Sequence, residues 1–235
     1  MLSEEQIERY SRQIILPQVG GKGQEKLLRA RVLVNGSGPL QEEALFYLAA
    51  VGIGTIGVIA GAPLSVFSLL APNRENAVAA VLQRLNPDCT VVSHGTRKTL
   101  LSEGFEQLVR EYDVILSEPD TQLHEACYAQ RRPLLCAKVA LTSGWLLLCQ
   151  GYEAALPCWF CVFPSADEER SDTCFENLAA AFLGTLQTTE AVKLILSLDR
   201  SGGNNLFQCQ FPGLHFRQSV IRKNPHCSFC GRTVF

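Results

Sequence analysis

Short apolar runs recur along the chain at Val32–Val34, Thr55–Ile59, Thr90–Val92, Asp113–Leu116 and Leu134–Val139. Stretches of helical period lie between them, among them Gln41–Ala50 and Glu75–Leu85. Brief apolar runs read as buried strands, and their alternation with amphipathic helices predicts βαβ units, hence an α/β fold. The expected architecture is a Rossmann-like, mostly parallel sheet with helices on both faces. Ser3 and Gln6 have the spacing of a capping box, which predicts a helix running to about Gln13, and a second short helix is expected over Gly23–Ala30. Beyond the alternating region, Trp145–Tyr152 reads as a further strand and Cys174–Leu198 as one long or broken helix. Leu206–Phe211 and Phe216–Ile221 read as antiparallel strands joined by Pro212–Gly213. No repeat, low-complexity segment or linker divides the chain. A single domain over 1–235 is expected, with an N-terminal helical segment (1–30), a Rossmann-like core (31–140) and a C-terminal part (141–235).

Composition agrees with one well-cored domain: 235 residues, 47% hydrophobic and 19% charged. The formal charge is −2 and no long run of like charges occurs, so neither nucleic acid nor an anionic membrane surface is an expected partner. The opening MLSEEQIERYSRQ lacks the apolar stretch of a secretory signal, and no window approaches the ~18 apolar residues of a membrane span. A cytoplasmic location is expected. There the ten cysteines would stand mostly as thiols, because cytosolic reductants keep disulfides from persisting.

Four of those cysteines form two pairs, Cys158/Cys161 in CWFC and Cys227/Cys230 in HCSFCG. Each pair can place two sulfurs on one ion from a tight loop, and together they complete the tetrahedron that zinc prefers. A structural zinc clamp joining the chain's end to the loop after the sixth strand is the reading. Redox chemistry at one pair is the rival, although a redox cysteine pair normally opens a helix beside its strand, and Cys230 sits in a tail. Cys89, Cys127, Cys136, Cys149 and Cys209 read as core.

After the first strand stands NGSGPLQEE, in which Gly36 and Gly38 make a tight strand-to-helix turn. Such a turn can offer backbone N–H groups to phosphate or merely connect two elements. Pro39 removes one donor, and Gln41 adds a side chain where close packing is needed.

The stretches RYSRQIILPQVGGKGQEKL (Arg9–Leu27), RVLVNGSGPL, YLAAVGIGTIGVI, LNP (Leu85–Pro87), LQTTEAVK (Leu186–Lys193) and NPHCSFCG (Asn224–Gly231) together resemble the ThiF/HesA/MoeB family of ubiquitin-activating-type adenylyltransferases. The resemblance runs in order over nearly the whole chain. It implies a dimeric enzyme that uses ATP and magnesium to adenylate the C-terminal glycine of a small ubiquitin-like or sulfur-carrier protein. In the family the turn reads GxGGxG, of which Gly36 and Gly38 remain. The family's acids after the second strand fall on Ala60 and Ala62. Losing a charged acceptor for a ribose hydroxyl costs roughly 1.5–3 kcal/mol per bond, about tenfold or more in affinity. The segment Pro63–Ala77 replaces the family's arginine-bearing stretch and leaves Arg74 near the family's lysine, where it would hold phosphate or stand as a solvated helix-start residue. Asp120 matches the magnesium-linked aspartate, or caps the next helix. Cys174 falls near the cysteine used by some relatives for thioester or persulfide chemistry, with ordinary packing as the alternative.

Arg12 corresponds to the arginine that reaches across to a partner's ATP in the family, the alternative for Arg9 and Arg12 being a basic surface helix. The combined reading is a pseudoenzyme: a protein with an impaired ATP site that serves as a homodimeric scaffold, or as the inactive partner of a competent member, supplying Arg12 in trans. The main alternative is an active adenylyltransferase with a rearranged pocket built on Asp120 and Arg74. A nicotinamide oxidoreductase shares the expected sheet but lacks the full glycine pattern and the acid after the second strand.

Overall fold

The computed structural model describes residues 1–36, 38–59, 77–96, 102–163, 174–198, 204–211 and 213–231, with the side chains at 77, 102, 103, 174 and 175 excepted. Three helices open the chain, α1 (Glu4–Arg9), α2 (Ser11–Ile14) and α3 (Gly20–Arg29). The capping box forms: Ser3 Oγ accepts from the Gln6 N–H at 3.2 Å, and Gln6 Oε1 accepts from the Ser3 N–H at 3.1 Å. The expected first helix is interrupted at Tyr10, and α3 starts three residues earlier than its sequence pattern suggests.

The alternating region follows as β1 (Arg31–Asn35), α4 (Pro39–Val51), β2 (Thr55–Ile59), α5 (Ala77–Leu85), β3 (Thr90–Ser93), α6 (Ser102–Arg110), β4 (Val114–Ser117), α7 (Thr121–Ala129) and β5 (Leu134–Ala140). These five strands are parallel, in the order β3-β2-β1-β4-β5. Strands β6 (Ser143–Cys149), β7 (Asn205–Gln210) and β8 (His215–Val220) extend the sheet with antiparallel pairing to eight strands. Strand β6 ends at Cys149 rather than Tyr152 because the Gln150 N–H turns to the Pro157 carbonyl at 3.2 Å, closing the loop that leads to the first cysteine pair. Cys174–Leu196 is one unbroken helix, α8.

Helices cover both faces, as the βαβ pattern requires. One core joins Leu27, Leu45, Leu48 and Leu82 of α3, α4 and α5 with Leu183 and Ala191 of α8 on one side of the sheet. The other core gathers Phe105 and Val109 of α6 with Leu123 and Cys127 of α7. The chain runs from β1 outward through β2 and β3 and then returns to place β4 on the opposite edge of β1. The carboxyl ends of β1 and β4 therefore flank the crevice where ligands settle in open α/β sheets. Among the described residues no helix is long and apolar enough to cross a membrane.

Candidate functional site

At that crevice Gly36 and Gly38 both have φ +121°, a region closed to other residues without strain. Gly38 is the N-cap of α4 and makes no side-chain cap, and Pro39 fills the first helical position. Proline is well suited there but lacks an N–H, so the first turn of α4 is one donor short. The space over Gly36 is taken. A Cβ built on Gly36 would stand 2.9 Å from Gln41 Nε2. Gln41 is only 1% exposed, and its Nε2 has no hydrogen-bond partner among the described residues.

Asp120 is buried at the carboxyl end of β4 and is the N-cap of α7, its Oδ1 accepting from the Leu123 N–H at 3.1 Å. Its Oδ2 accepts from Asn35 Nδ2 at 3.3 Å, and the same amide donates to Ser117 Oγ at 2.9 Å. From α8, Gln187 Nε2 donates to the Ser117 carbonyl at 3.3 Å and to the Leu135 carbonyl at 3.0 Å. Asn35, Ser117 and Gln187 therefore form a buried polar seam with Asp120. Sequence reasoning did not single them out, and the only signal was a polar residue closing each of two apolar strands. Arg74, Ala60 and Ala62 lie outside the described residues, as does the side chain of Cys174, whose backbone begins α8.

The two arginines of RYSRQ have different surroundings. Arg9 pairs with Asp88 Oδ2 at 2.5 Å. Tyr10 is 1% exposed, donates to Asp88 Oδ2 at 2.9 Å and accepts from Asn86 Nδ2 at 2.8 Å. Asn86 also donates to the Ala49 carbonyl at 2.6 Å, and Gln6 Nε2 reaches Asp88 Oδ1 at 3.2 Å. This network ties the N-terminal helices to the turn between α5 and β3 and to the end of α4. Arg12, one helical turn from Arg9, is exposed, with no hydrogen bond or ion pair among the described residues.

Burial works against ionisation of Asp88, but hydrogen bonds from Gln6, Tyr10 and Arg9, with the Arg9 charge, hold its carboxyl below the ordinary value. Burial pushes Tyr10 up to about 12. A depressed folded-state carboxyl contributes stability that is present above its unfolded value, near 4, and is lost as pH falls through the folded value. Raised Tyr10 contributes stability present below about 10 and lost as pH rises toward 12. Denaturant unfolding at a series of pH values should therefore show Asp88→Asn flattening the acid limb below about pH 4 relative to the parent protein. An unchanged acid limb would remove Asp88 as its source.

The four paired cysteines meet at the far end of α7. Cys158 and Cys161 Sγ are 3.8 Å apart, Cys158 and Cys227 3.7 Å, and Cys161 and Cys230 3.4 Å, with all four within 4.8 Å of one another. A tetrahedral site with metal–sulfur distances of about 2.3 Å has sulfur–sulfur edges of about 3.8 Å. The thiols fit a metal ion. Burial and the neighbouring thiols push Cys158 and Cys230 up, while the N–H groups of Cys230 and Phe229 bring the Cys227 thiol down despite its burial. His124, 3% exposed, packs beside the site against Trp159, Phe160 and Phe229 at 5.0–6.2 Å between ring centroids. Its two ring nitrogens make no hydrogen bond among the described residues, and burial lowers it to about 4, so it is a neutral core imidazole over most of the pH range. Cys89, Cys127, Cys136, Cys149 and Cys209 are buried thiols, each raised by desolvation, in accord with a core role.

Comparison with known proteins places this geometry. The ThiF family profile matches residues 10–60 and 68–229. A sulfur carrier protein adenylyltransferase of Thermus thermophilus is 29% identical over 97% of the chain and 92% of its own length. An adenylyltransferase and sulfurtransferase MOCS3 of Anopheles gambiae is 32% identical over 97% of the chain, and the chain spans 56% of that protein. The chain thus covers about half the length of relatives of the second kind. Among solved structures, PaaA superposes with a TM-score of 0.76 at 19% identity, covering 95% of this chain and 76% of that one. E. coli MccB in complex with MccA-N7isoASN gives 0.77 at 18% identity, covering 95% and 75%. The sheet order and the four-thiol cluster stand beside a family profile matched over most of the sequence, and this chain belongs to the ThiF family.

Proposed function

We propose that this protein is an adenylyltransferase-like pseudoenzyme of the cytoplasm: a dimeric scaffold, or the silent partner of a competent family member, that offers Arg12 to another subunit's nucleotide. The observation that carries this reading is Asp120. The only acid that the resemblance leaves for magnesium is buried, with one oxygen capping α7 and the other held by Asn35. Sequence supplies the rest, with alanine at 60 and 62 and proline at 39. Together these remove sugar acceptors and a phosphate donor whose losses multiply in affinity.

Assembly is supported by the outer surfaces of α4 and α8. Both helices are apolar around much of their circumference and expose Phe46, Tyr47, Leu178 and Phe182 by 40–59%. Exposed apolar side chains on two adjacent helices suit a covered face. The Arg9–Tyr10–Asp88 network anchors the N-terminal segment and leaves Arg12 free to reach outward, where a guanidinium stabilises phosphate charge. The ion at the four-cysteine site is zinc in this reading, chosen for its preference for four thiolates in a closed tetrahedron.

Similarity to a sulfur carrier protein adenylyltransferase and to MOCS3 favours a second reading, adenylation of a sulfur carrier by a rearranged pocket. Calorimetry of the isolated protein with MgATP separates the two. The pseudoenzyme gives no saturable binding and no pyrophosphate exchange with a carrier protein, and tight binding with exchange would sink it. In mixtures with a competent member lacking its own trans arginine, the protein should restore adenylation. Arg12→Ala should cut that restoration by roughly a hundredfold. Equal rescue by the variant would exclude the trans role.

A further inference from the structure

From the packing at the glycine turn we infer that Gln41 is the residue that decides what this crevice admits: its side chain occupies the place of a phosphoryl group, and its removal opens the turn to pyrophosphate. The inference rests on the impaired-site reading and goes beyond it by assigning the exclusion to one side chain.

Three atoms of Gln41 lie along the bare face of Gly36. A Cβ built on that glycine would meet Nε2 at 2.9 Å, Cδ at 3.0 Å and Cγ at 3.3 Å. Gly36 has φ +121° and its N–H donates to the Ile59 carbonyl at 3.0 Å, so the donors left for an anion are those of the α4 N-terminus. What faces this concavity is the chain's own carboxamide. Gln41 gains little from being there, because an amide at 1% exposure with an unpartnered Nε2 carries a desolvation cost that no hydrogen bond offsets. A side chain held at such a cost is replaceable. Shortening it exposes the N–H groups of Leu40 and Gln41 in the first turn of α4, for which no acceptor stands among the described residues.

The probe is inorganic pyrophosphate, which tests the turn without the sugar contacts that the sequence lacks, with MgADP as a second titrant. Calorimetry should show wild-type protein binding pyrophosphate weakly or not at all. Gln41→Gly should gain at least about tenfold, Gln41→Ala should gain less, and Gln41→Leu, which keeps the bulk, should match wild type. Gains with pyrophosphate but not with MgADP identify the turn alone as the opened element. The inference is overturned if the Gly and Ala variants, melting cooperatively, bind pyrophosphate no better than wild type, or if the Leu variant gains equally. Wild-type weakness toward MgATP alongside those results would leave the impaired-site reading standing, whereas tight wild-type MgATP binding would remove that reading itself.

Discussion

Cys227→Ser, or removal of the metal with a chelator, is expected to lower the unfolding midpoint by about 8–16 °C. The figure follows from a loss of at least about 4 kcal/mol, at roughly 2–4 °C per kcal/mol for a chain of this size. Four-thiolate sites in small peptides bind zinc with about 10–16 kcal/mol at neutral pH, and part of that offsets the ordering of the loops. Here the loops are far apart in sequence and meet otherwise through ring packing such as Phe160 on Phe229. The pair Cys158/Cys161 sits on a 3-10 turn after β6, and the pair Cys227/Cys230 follows β8. Among the described residues, Tyr128, Phe160 and Phe229 pack against the sulfurs as partly buried neighbours, and Lys223 Nζ donates to the Gly151 carbonyl at 2.7 Å. A redox pair is disfavoured by the same geometry, since the four thiols converge as one group rather than two. Metal analysis should return one zinc per chain, and scanning calorimetry should show the chelated protein melting lower. A chain free of metal whose midpoint ignores chelator would overturn the clamp.

The elements of the core were legible because each strand is a short apolar run with a helix between it and the next. The end of β6 was not, because it depends on the Gln150–Pro157 hydrogen bond rather than on any apolar pattern. Strand order lies outside single-sequence patterning too, since nothing in β1 states that β4 will flank it. The convergence of the four cysteines was legible from spacing, as two CxxC pairs can meet on one metal ion. The crevice was legible only as substitutions. Proline and glutamine in the turn announced a conflict with phosphate binding, but the direction of the Gln41 side chain follows from how α4 meets β1. Asp120 could be read as ligand or as cap; its Oδ1 accepts the capping bond from the Leu123 N–H, and its Oδ2 accepts from Asn35. The Tyr10–Asp88 pairing joins positions far apart in sequence, and no local pattern encodes that contact.

Gly184 carries the second large effect. Helix propensity alone predicts that Gly184→Ala, in the interior of α8, stabilises the protein by roughly 1 kcal/mol. The packing predicts the opposite. A Cβ at 184 would stand 2.1 Å from the Leu40 carbonyl oxygen and 3.1 Å from Glu43 Cβ. A backbone oxygen cannot swing aside as a side chain can, so either α4 or α8 must move. One turn further along, Thr188 Oγ1 donates to the Ala44 carbonyl at 3.3 Å, which ties the same two helices together. Overpacking a tight core costs about 1–3 kcal/mol, and more where backbone shifts. The clash therefore wins: Gly184→Ala should lose about 2 kcal/mol net, and Gly184→Val about 4 kcal/mol because a β-branched side chain adds to the crowding. Thr189→Ala, on the exposed side of α8, should stay within about 0.5 kcal/mol and serves as the control. Leu40 is the second residue of α4, so the displacement is applied at the glycine turn itself. If urea unfolding showed Gly184→Ala to be as stable as the parent, the close crossing of α4 and α8 that positions that turn would be wrong.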